Sequence, residues 1–344
     1  MEHYAGLDVS LELTSVCIVD AQGRIVRETK VASDPEDLVR YFGGLEHPIT
    51  RVGLEAGPLS QWIHAGLVAA GLETVLLETR HVKALLSAMT VKTDRRDARG
   101  IAQLLRFGWY QPVHAKSVSA QEVRAILTAR KLIQAKLLDV ECSIRGVLRG
   151  FGLKVGPISR GRFEVRVREL VDGHAILETV SDAMLAARTA LETEFKRLHR
   201  ALLGIVRDDP VCRQLMSVPG VGAIVAITFK SGVDDPMRFK HSRDIGPHFG
   251  LTPKKYQSGE IDVTGSISKR GDRMVRTALY EAASVMLTRT VRFSSLKAWA
   301  MAVAKRRGTR KARVALARKL GVILHRMWVD GTDFRWTNQE TAIV

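Results

Sequence analysis

Apolar and polar residues alternate in short runs along the first third of the chain, a pattern that predicts β-strands. The runs are rich in β-branched residues and are separated by turn residues. The predicted strands are Tyr4–Asp8, Leu13–Val19, Arg24–Val31, Arg51–Glu55 and Thr74–Leu77, with a hairpin turn at Asp20–Gly23.

Between and after these strands the apolar spacing changes to three and four residues, which predicts helices. The first helix follows Ser33, which we expect to cap it. The other helices are Leu59–Ala70, a segment around Val82–Ala88, and Asp94–Phe107. Three strands followed by alternating helices and strands is the element order of the ribonuclease H-like fold, so an α/β domain of that type is predicted.

The middle of the chain is predicted to form a long helical arm. Apolar residues recur every three or four positions from Ser119 to Arg149, and again from Ser181 to Val206. A segment rich in Gly and Pro, residues 150–157, separates the two stretches. Two long helices around a break indicate an antiparallel hairpin or a coiled-coil arm, whose role is packing or dimerisation rather than chemistry.

The last part of the chain begins after Asp208-Asp209-Pro210 and is predicted to be mostly helical. Its turn Pro219–Gly222 resembles a helix-hairpin-helix element, in which Gly220 and Gly222 let backbone N–H groups approach a phosphate. The alternative is a tight turn packed in the domain core. The predicted domains are therefore residues 1–118, 119–207 and 208–344.

Positive charge is concentrated outside the first third. Of the net charge of +17, residues 1–105 contribute 11 − 14 = −3 and the remainder contributes 42 − 22 = +20. This asymmetry favours a polyanion such as nucleic acid, held mainly by the second and third parts. A dense basic run, Lys305–Arg313, adds candidate phosphate contacts, although a solvated charge cluster is the ordinary alternative. These candidates are Lys305, Arg306, Arg307, Arg310 and Lys311.

Composition and the start of the chain favour a cytoplasmic protein. A hydrophobic content of 46% excludes global disorder, and no apolar run approaches the ~20 residues that span a bilayer. The first residues do not resemble a secretory signal, and no basic amphipathic helix with an aromatic face indicates a membrane surface. The three cysteines lie far apart without ligand spacing, so we expect reduced, mostly buried thiols.

Four acidic residues in the first third carry the chemical signal: Asp8, Glu55, Asp94 and Asp97. Asp8 and Glu55 end predicted strands, and the i, i+3 spacing of Asp94 and Asp97 places both on one helix face. Such carboxylates can converge as hard oxygen ligands for Mg²⁺, as in a nuclease that activates a phosphodiester with metal. Taken singly, each is an ordinary strand-end, surface or helix-terminal acid.

A Gly-x-Asp strand also opens the sugar-kinase and actin-like ATPases. Those proteins require further glycine-rich phosphate loops, and the sequence has none at suitable positions. The strongly basic remainder of the chain also fits that class poorly.

Short motifs at both ends of the chain resemble those of one known family. In the first third they are Gly6-Leu-Asp8-Val-Ser10, Leu54-Glu55-Ala-Gly57 and Lys92-Thr-Asp94-Arg-Arg-Asp97-Ala-Arg99. In the last third they are Ser217–Gly222, Phe249–Pro253, Tyr256–Gly259, Ile267–Arg273 and Arg276–Tyr280. The sequence resembles the DEDD transposases of bacterial insertion sequences, the insertion-sequence one-ten family, whose members include bridge-RNA-guided recombinases. This resemblance implies a RuvC-like domain, a coiled-coil connection and a separate transposase domain.

The resemblance also implies a reaction. Ser258, which the residues alone would place in an ordinary loop, becomes the nucleophile that attacks the scissile phosphate and forms a covalent phosphoserine link. Mg²⁺, with Mn²⁺ as the alternative ion, would be held by Asp8, Glu55, Asp94 and Asp97, and would assist a serine that is a weak nucleophile by itself. The released hydroxyl could then attack a partner strand.

The partners implied by the resemblance are nucleic acids and further copies of the chain. They are donor and target double-stranded DNA, a structured guide RNA whose base pairing supplies specificity, and a dimer that assembles into a synaptic tetramer with an active site shared between protomers. The expected location is the nucleoid in the bacterial cytoplasm. Cations that flank Ser258 are candidate phosphate contacts: Lys254, Lys255, Lys269, Arg270, Arg273 and Arg276.

Two other functions remain open at this point. A RuvC-type junction nuclease would hydrolyse DNA with metal-activated water and leave Ser258 structural; a covalent protein–DNA adduct would exclude it. A non-catalytic helix-hairpin-helix scaffold would carry a degenerate acidic cluster. Loss of function in Asp94→Asn with DNA binding retained would exclude that scaffold.

Overall fold

In the computed structural model, which describes residues 2–87 and 93–337, the chain divides into two units, Met1–Lys116 and Ser117–Val344. The division into three domains remains a prediction, because this partition separates only two units. Ala88, the end of one predicted helix, and Lys92, the start of one motif, lie outside the described residues.

A six-stranded mixed sheet forms the centre of the first unit. Its strands are β1 (His3–Val9), β2 (Leu13–Asp20), β3 (Ile25–Ala32), β4 (Arg51–Glu55), β5 (Thr74–Leu77) and β6 (Pro112–Val113), in the order β3-β2-β1-β4-β5-β6. β1, β2 and β3 are antiparallel neighbours, whereas β1, β4 and β5 run parallel. This is the expected ribonuclease H-like arrangement, so the predicted fold class is confirmed. The two-residue strand β6 is too short to give a periodic signal and escapes prediction.

Helices cover both faces of this sheet. They are α1 (Pro35–Gly43), α2 (Ser60–Ala69), α3 (Thr79–Leu86) and α4 (Asp94–Phe107). Because successive side chains of a strand point to opposite faces, Leu7 and Leu54 enter a core with α1 and α2. The glycines Gly6 and Gly53 face α4 on the other side.

The cap of α1 differs from the expectation. Ser33 does not cap the helix; Asp34 does, accepting a hydrogen bond from the backbone N–H of Glu36 at 2.8 Å. Pro35 is favoured at the first helical position, and this makes the residue before it the N-cap. The Ser33 hydroxyl instead lies 2.8 Å from that of Thr14, within hydrogen-bonding distance.

The second unit begins with the predicted arm. Its helices are α5 (Val118–Gly150), α6 (Phe163–Val171) and α7 (Ala175–Asp208), and the short α6 lies in the predicted break. Leu127 near the start of α5 shares a core with Leu202 near the end of α7. At the other end, Ile144 packs in a cluster with Leu185. The two long helices are therefore antiparallel.

Up to residue 337, the rest of the second unit has helices and one β-hairpin. It contains α8 (Pro210–Leu215), α9 (Ala223–Val233), α10 (Ile245–His248), strands β7 (Pro253–Ser258) and β8 (Ile261–Ile267), α11 (Arg273–Thr288), α12 (Ser295–Arg307) and α13 (Thr309–Asp330). Fully buried Phe229, Phe249, Leu279 and Leu320 belong to its core. Over residues 2–87 and 93–337, no helix is both long and apolar enough to cross a membrane.

Candidate active site

Asp8 is the penultimate residue of β1, and Glu55 is the last residue of the neighbouring parallel strand β4. The register pairs Leu7 of β1 with Leu54 of β4, so each acidic residue is the next one along its strand. Both are partly buried. They line a common cavity of about 320 Å³, whose wall consists of residues 8–11 and 55–60. The structure therefore brings these two predicted site residues together.

A short turn fixes the end of β4 beside this cavity. The backbone N–H of Gly57 donates to the Ser60 hydroxyl at 2.9 Å, and that hydroxyl donates to the Gly57 carbonyl at 2.8 Å. The Ala56 N–H donates to the carbonyl of Leu77 on β5 at 3.0 Å. Because these bonds hold the chain directly after Glu55, its backbone position is well defined.

Helix α4 lies directly on the strands that carry Asp8 and Glu55. A Cβ added at Gly6 would come within 2.1 Å of the Ala98 carbonyl oxygen. A Cβ added at Gly53 would come within 2.7 Å of the Leu105 side chain. The two glycines therefore allow the helix to approach β1 and β4 closely.

The first turn of α4 carries the other two predicted carboxylates. Asp97 directly precedes Ala98 and is partly buried, and the exposed Asp94 is the first residue of the helix. Asp8 follows Gly6 by two residues and so projects from the same face of the sheet as Gly6. By the same alternation, Glu55 shares a face with Gly53. Asp8 and Glu55 thus belong to the face of the sheet that α4 covers.

An ion-pair cluster fixes the orientation of α4. Glu28 of β3 accepts hydrogen bonds from Arg95 Nε at 2.5 Å and from Arg99 Nη2 at 3.1 Å. Toward the other end of the helix, Gln103 Nε2 donates to the Gly23 carbonyl at 2.7 Å. Since β3 starts beside Gly23 and runs in the same direction as β1, the N-terminus of α4 points to the edge where β1 ends.

The Glu28 side chain is only 9% exposed, and its partners keep it charged. Burial alone would raise the pKa of Glu28, but the hydrogen bonds and charges of Arg95 and Arg99 outweigh it and lower the pKa. The carboxylate is therefore a fixed negative charge at the N-terminal half of α4.

The acidic residues fit the predicted ions by their chemistry. Carboxylate oxygens are the hard ligands that Mg²⁺ and Mn²⁺ prefer, and Asp8, Glu55, Asp94 and Asp97 offer only such oxygens. Within residues 2–87 and 93–337, however, no three His, Cys, Asp or Glu side chains lie close enough to share a metal ion. Convergence of all four carboxylates on one metal centre therefore remains a prediction.

Ser258 lies at the tip of an exposed β-hairpin in the second unit. It is the last residue of β7 and pairs with Ile261 of β8 across the turn Gly259-Glu260, where Gly259 has a φ of +56°. Residues 253–266 are all exposed. The structure therefore places this serine at a strand end, not in an irregular loop, with its side chain accessible to a large substrate.

The cations predicted to flank Ser258 occupy three kinds of position. Lys254 and Lys255 lie on β7, and Lys255 forms an ion pair with Asp262 across the hairpin at 3.1 Å. Exposed Lys269 and Arg270 lie in the loop after β8, and exposed Arg273 begins α11. Because Lys255 already has an anionic neighbour, the others are the more accessible positive charges.

Arg276 differs from the other predicted contacts. Its Nη1 donates to the Phe249 carbonyl at 2.9 Å and to the Arg270 carbonyl at 2.8 Å. These bonds fasten the loop after β8 to the loop after α10. The structure therefore gives Arg276 a supporting role within the protein.

The second group of predicted cations surrounds the junction of α12 and α13. Lys305, Arg306 and Arg307 end α12, and Arg310 and Lys311 begin α13, on either side of Gly308. All five are exposed. They form a compact basic surface in the second unit.

The Pro219–Gly222 turn joins α8 to α9, as the helix-hairpin-helix pattern predicts. Gly220 has a φ of +84°, and a Cβ added there would come within 2.5 Å of the Ala282 carbonyl oxygen on α11. Its lack of a side chain thus serves core packing. Gly222 is exposed, and a Cβ there would contact nothing within 4 Å. It is the N-cap of α9 and has no side chain that could cap the first backbone N–H groups of the helix. Gly222 therefore remains a candidate phosphate contact.

Two residues that position the acidic ones, Gly6 and Glu28, are not predicted as functional from the sequence. Gly6 lies in the same motif as Asp8, so its spacing could have indicated a close helix approach. Glu28 gave no signal, because an acid within a half-exposed strand is ordinary and its partners follow 67 and 71 residues later.

Two family models match the chain. The model of the DEDD transposases of IS110 elements, described as "Transposase", matches residues 5–152. The model described as "Transposase IS116/IS110/IS902 family" matches residues 212–298.

Curated proteins match over most of the chain. The transposase for insertion sequence element IS1111A of Coxiella burnetii is 28% identical over 329 residues, which cover 93% of this chain and 87% of that protein. The probable family 20 transposase of Pseudomonas aeruginosa is 27% identical over 349 residues, covering 96% and 98% of the two chains. Among solved structures, T. thermophilus RuvC in complex with a Holliday junction substrate matches with a TM-score of 0.26 and 13% identity, over 33% of this chain and 100% of RuvC.

Proposed function

Because this chain belongs to the IS116/IS110/IS902 family of transposases, we propose that it cleaves and rejoins DNA strands with an acidic cluster and a serine nucleophile. One observation carries the proposal. Asp8, next to the end of β1, and Glu55, the last residue of β4, line one cavity, on the sheet face covered by the helix whose first turn carries Asp94 and Asp97. This is where a ribonuclease H-like sheet can gather carboxylates beside a phosphodiester.

The acidic residues have a binding and orienting role in this proposal. Asp8, Glu55, Asp94 and Asp97 would hold Mg²⁺ or Mn²⁺, which when bound neutralises charge on the phosphoryl oxygens and lowers the pKa of an attacking hydroxyl. The cavity beside Asp8 and Glu55 admits the phosphate group. Glu28 keeps α4 in place through Arg95 and Arg99, so that the helical carboxylates stay at this edge.

Ser258 supplies the nucleophile. Its Oγ forms a bond to the scissile phosphorus while the bond to one sugar oxygen breaks, and that oxygen takes up a proton and leaves as a hydroxyl. The phosphoserine ester keeps the strand attached to the protein. A hydroxyl of a second strand can then attack the same phosphorus, which releases Ser258 and joins the two strands. Exposure of the hairpin tip is what this step requires.

The partners in this proposal are donor and target DNA duplexes, a structured guide RNA, and a dimer that assembles into a synaptic tetramer. The excess charge of +20 outside residues 1–105 supports a polyanion partner. If copurified material contains no discrete RNA and recombination survives nuclease treatment, RNA guidance is excluded.

Sharing of the active site between protomers has its own test. Asp8→Asn and Ser258→Ala chains, each inactive alone, are mixed and assayed for recombination. Partial recovery supports a site assembled from different protomers, and no recovery counts against it.

The central experiment looks for a covalent adduct. End-labelled DNA carrying the element's ends is incubated with wild-type protein, Mg²⁺ and RNA from the element's flanking sequence. The products are then separated under denaturing conditions. We expect labelled protein with the wild type and none with Ser258→Ala or Asp8→Asn. Ser266→Ala is the matched control, because Ser266 is exposed on the other strand of the same hairpin.

A hydrolytic RuvC-type nuclease is the second candidate. It is favoured by the cavity that Asp8 and Glu55 line within the first unit, because hydrolysis by metal-activated water requires no serine. Cleaved DNA without an adduct, equally abundant with Ser258→Ala, would establish hydrolysis and refute the serine mechanism.

A further inference from the structure

A cavity lined mainly by cations lies between α5 and the start of α11. Its volume is about 360 Å³, and its lining residues are Arg124 and Lys131 of α5 and Asp272, Arg273 and Met274. Three positive side chains thus surround one carboxylate. Arg124 and Lys131 are seven residues apart, so they lie two turns apart on the same face of α5.

The single carboxylate in this cavity, that of Asp272, already has hydrogen-bond and ion-pair partners. Asp272 is the N-cap of α11 and accepts hydrogen bonds from the backbone N–H groups of Met274 at 2.7 Å and Val275 at 3.1 Å. It also forms an ion pair with Arg124. Within the described part of the chain, no ion pair joins Lys131 or Arg273 to an acid. The cavity therefore keeps two positive charges that Asp272 does not balance.

Arg124 is held in place more firmly than a surface arginine. Its side chain is 20% exposed, and a Cβ added at Gly232 of α9 would lie 3.8 Å from its Nη1. That nitrogen is buried and has no hydrogen-bond partner among the described residues. Packing on α9 and the ion pair with Asp272 therefore fix the guanidinium at the cavity wall before any ligand arrives.

We propose that this cavity binds a phosphodiester group of a nucleic-acid strand. Two unbalanced cations beside a pre-oriented guanidinium suit a singly charged phosphodiester, since each oxygen can accept a charge-assisted hydrogen bond. An uncharged ligand would leave both charges unpaired. The proposal rests on the proposed function and adds a site in which Arg124 and Lys131 take part.

The cavity lies close in sequence to the Ser258 hairpin, which indicates what a phosphodiester bound there would do. Arg273 lies six residues after the end of β8. One wall of the cavity is therefore formed by the chain segment that follows the base of the Ser258 hairpin. β8 has seven residues, which span about 20 Å at roughly 3.3 Å per residue. A phosphodiester held here would anchor the strand several nucleotides from the one that Ser258 attacks.

The test measures nucleic-acid binding as a function of salt. Fluorescence anisotropy follows a labelled DNA duplex, the single DNA strand and the RNA of the same sequence, with full-length wild type, Lys131→Ala, Arg273→Ala and the double variant. Both side chains are exposed, so neither substitution should affect folding, which thermal unfolding checks. Lys136→Ala is the control, because Lys136 is an exposed α5 lysine paired with Asp139 at 3.2 Å.

We expect each single variant to reduce the slope of log K against log salt by about 0.7 to 0.9, and the double variant by about twice that amount. The control should match the wild type. A reduced slope supports the site, and the probes that show it identify the kind of strand that the site holds: DNA, RNA or both. Slopes equal to that of Lys136→Ala for every probe overturn this proposal and leave the proposed function standing. Absence of salt-dependent binding by the wild type overturns both.

Discussion

The close contact between α4 and β1 makes Gly6→Ala the most informative single substitution. The added Cβ would lie 2.1 Å from the Ala98 carbonyl oxygen and 2.4 Å from the Ala102 nitrogen. From 2.1 Å to the 3.4 Å of an ordinary contact, α4 would have to retreat by about 1.3 Å. Both contacts are to helix backbone, so no side-chain rotation can relieve them.

The loss of folding stability in Gly6→Ala follows from the packing that the displacement of α4 would disturb. Ala98 and Ala102 are fully buried against β2 residues Cys17 and Val19. Overpacking costs about 1–3 kcal/mol, and a clash with backbone belongs at the upper end, about 3 kcal/mol. That is a large fraction of the roughly 5–15 kcal/mol that stabilises a typical protein. The same movement would shift Asp94 and Asp97 relative to Asp8, so strand cleavage should also fall if these carboxylates act together as proposed.

Hydrogen exchange followed by mass spectrometry measures this effect in the first unit alone. Some amides of β1 and α4 exchange only when the whole unit unfolds. We expect these amides to exchange about 100-fold faster in Gly6→Ala, because a loss of about 3 kcal/mol corresponds to two factors of ten at 1.4 kcal/mol each. Gly43→Ala is the control: Gly43 ends α1, is exposed, and an added Cβ meets nothing within 4 Å. If Gly6→Ala exchanged at the same rate as Gly43→Ala, the close approach of helix and strand would be refuted.

Two further predictions concern charged groups. The lowered pKa of Glu28 contributes stability that is present above the unfolded-state value of about 4.3 and is lost as pH falls through the folded-state pKa. Acid unfolding of the first unit should therefore be less steep in Glu28→Gln, and an unchanged pH profile would contradict this linkage. Arg188, 4% exposed, binds Glu141 and Glu192, so Arg188→Ala should lower the free energy of unfolding by about 2–4 kcal/mol, whereas Arg188→Met, which keeps much of the packing, should lower it less. The Arg197 side chain, which pairs with Glu194, is 68% exposed, so Arg197→Ala should cost less than about 1 kcal/mol. Equal losses at both sites, measured by denaturant unfolding, would refute a special role for Arg188.

The sequence predicted elements whose ends carry strong local signals. Helix α4 begins at Asp94 and ends at Phe107, as predicted, because Thr93 caps its start and Gly108, in the left-handed region with a φ of +66°, ends it. The positions of Asp8 and Glu55 near strand ends followed from the apolar runs that precede them, whereas the pairing of β1 with β4 required the structure. Family motifs supplied Ser258, which no local physical pattern distinguishes from an ordinary polar residue.

Features that depend on distant partners could not be predicted. The β7–β8 hairpin is exposed throughout residues 253–266, so it lacks the apolar alternation that marks a half-buried strand. Gly220 resembles a phosphate-binding glycine in sequence, and only the position of α11 reveals its packing role. The buried Arg188 likewise follows from the pairing of α5 with α7, which spacing predicts only in outline.

The exposed hairpin has a consequence for when the enzyme is dangerous to DNA. An isolated two-stranded ribbon is marginally stable in water, and residues 253–266, which include the tip that bears Ser258, are all exposed among the described residues. If Ser258 is the nucleophile, much of the orientation that catalysis requires must come from the bound strands themselves. A chain encountering random DNA would then be almost inert, and reactivity would appear only in the fully assembled complex. For a transposase, such latency would limit stray breaks in DNA.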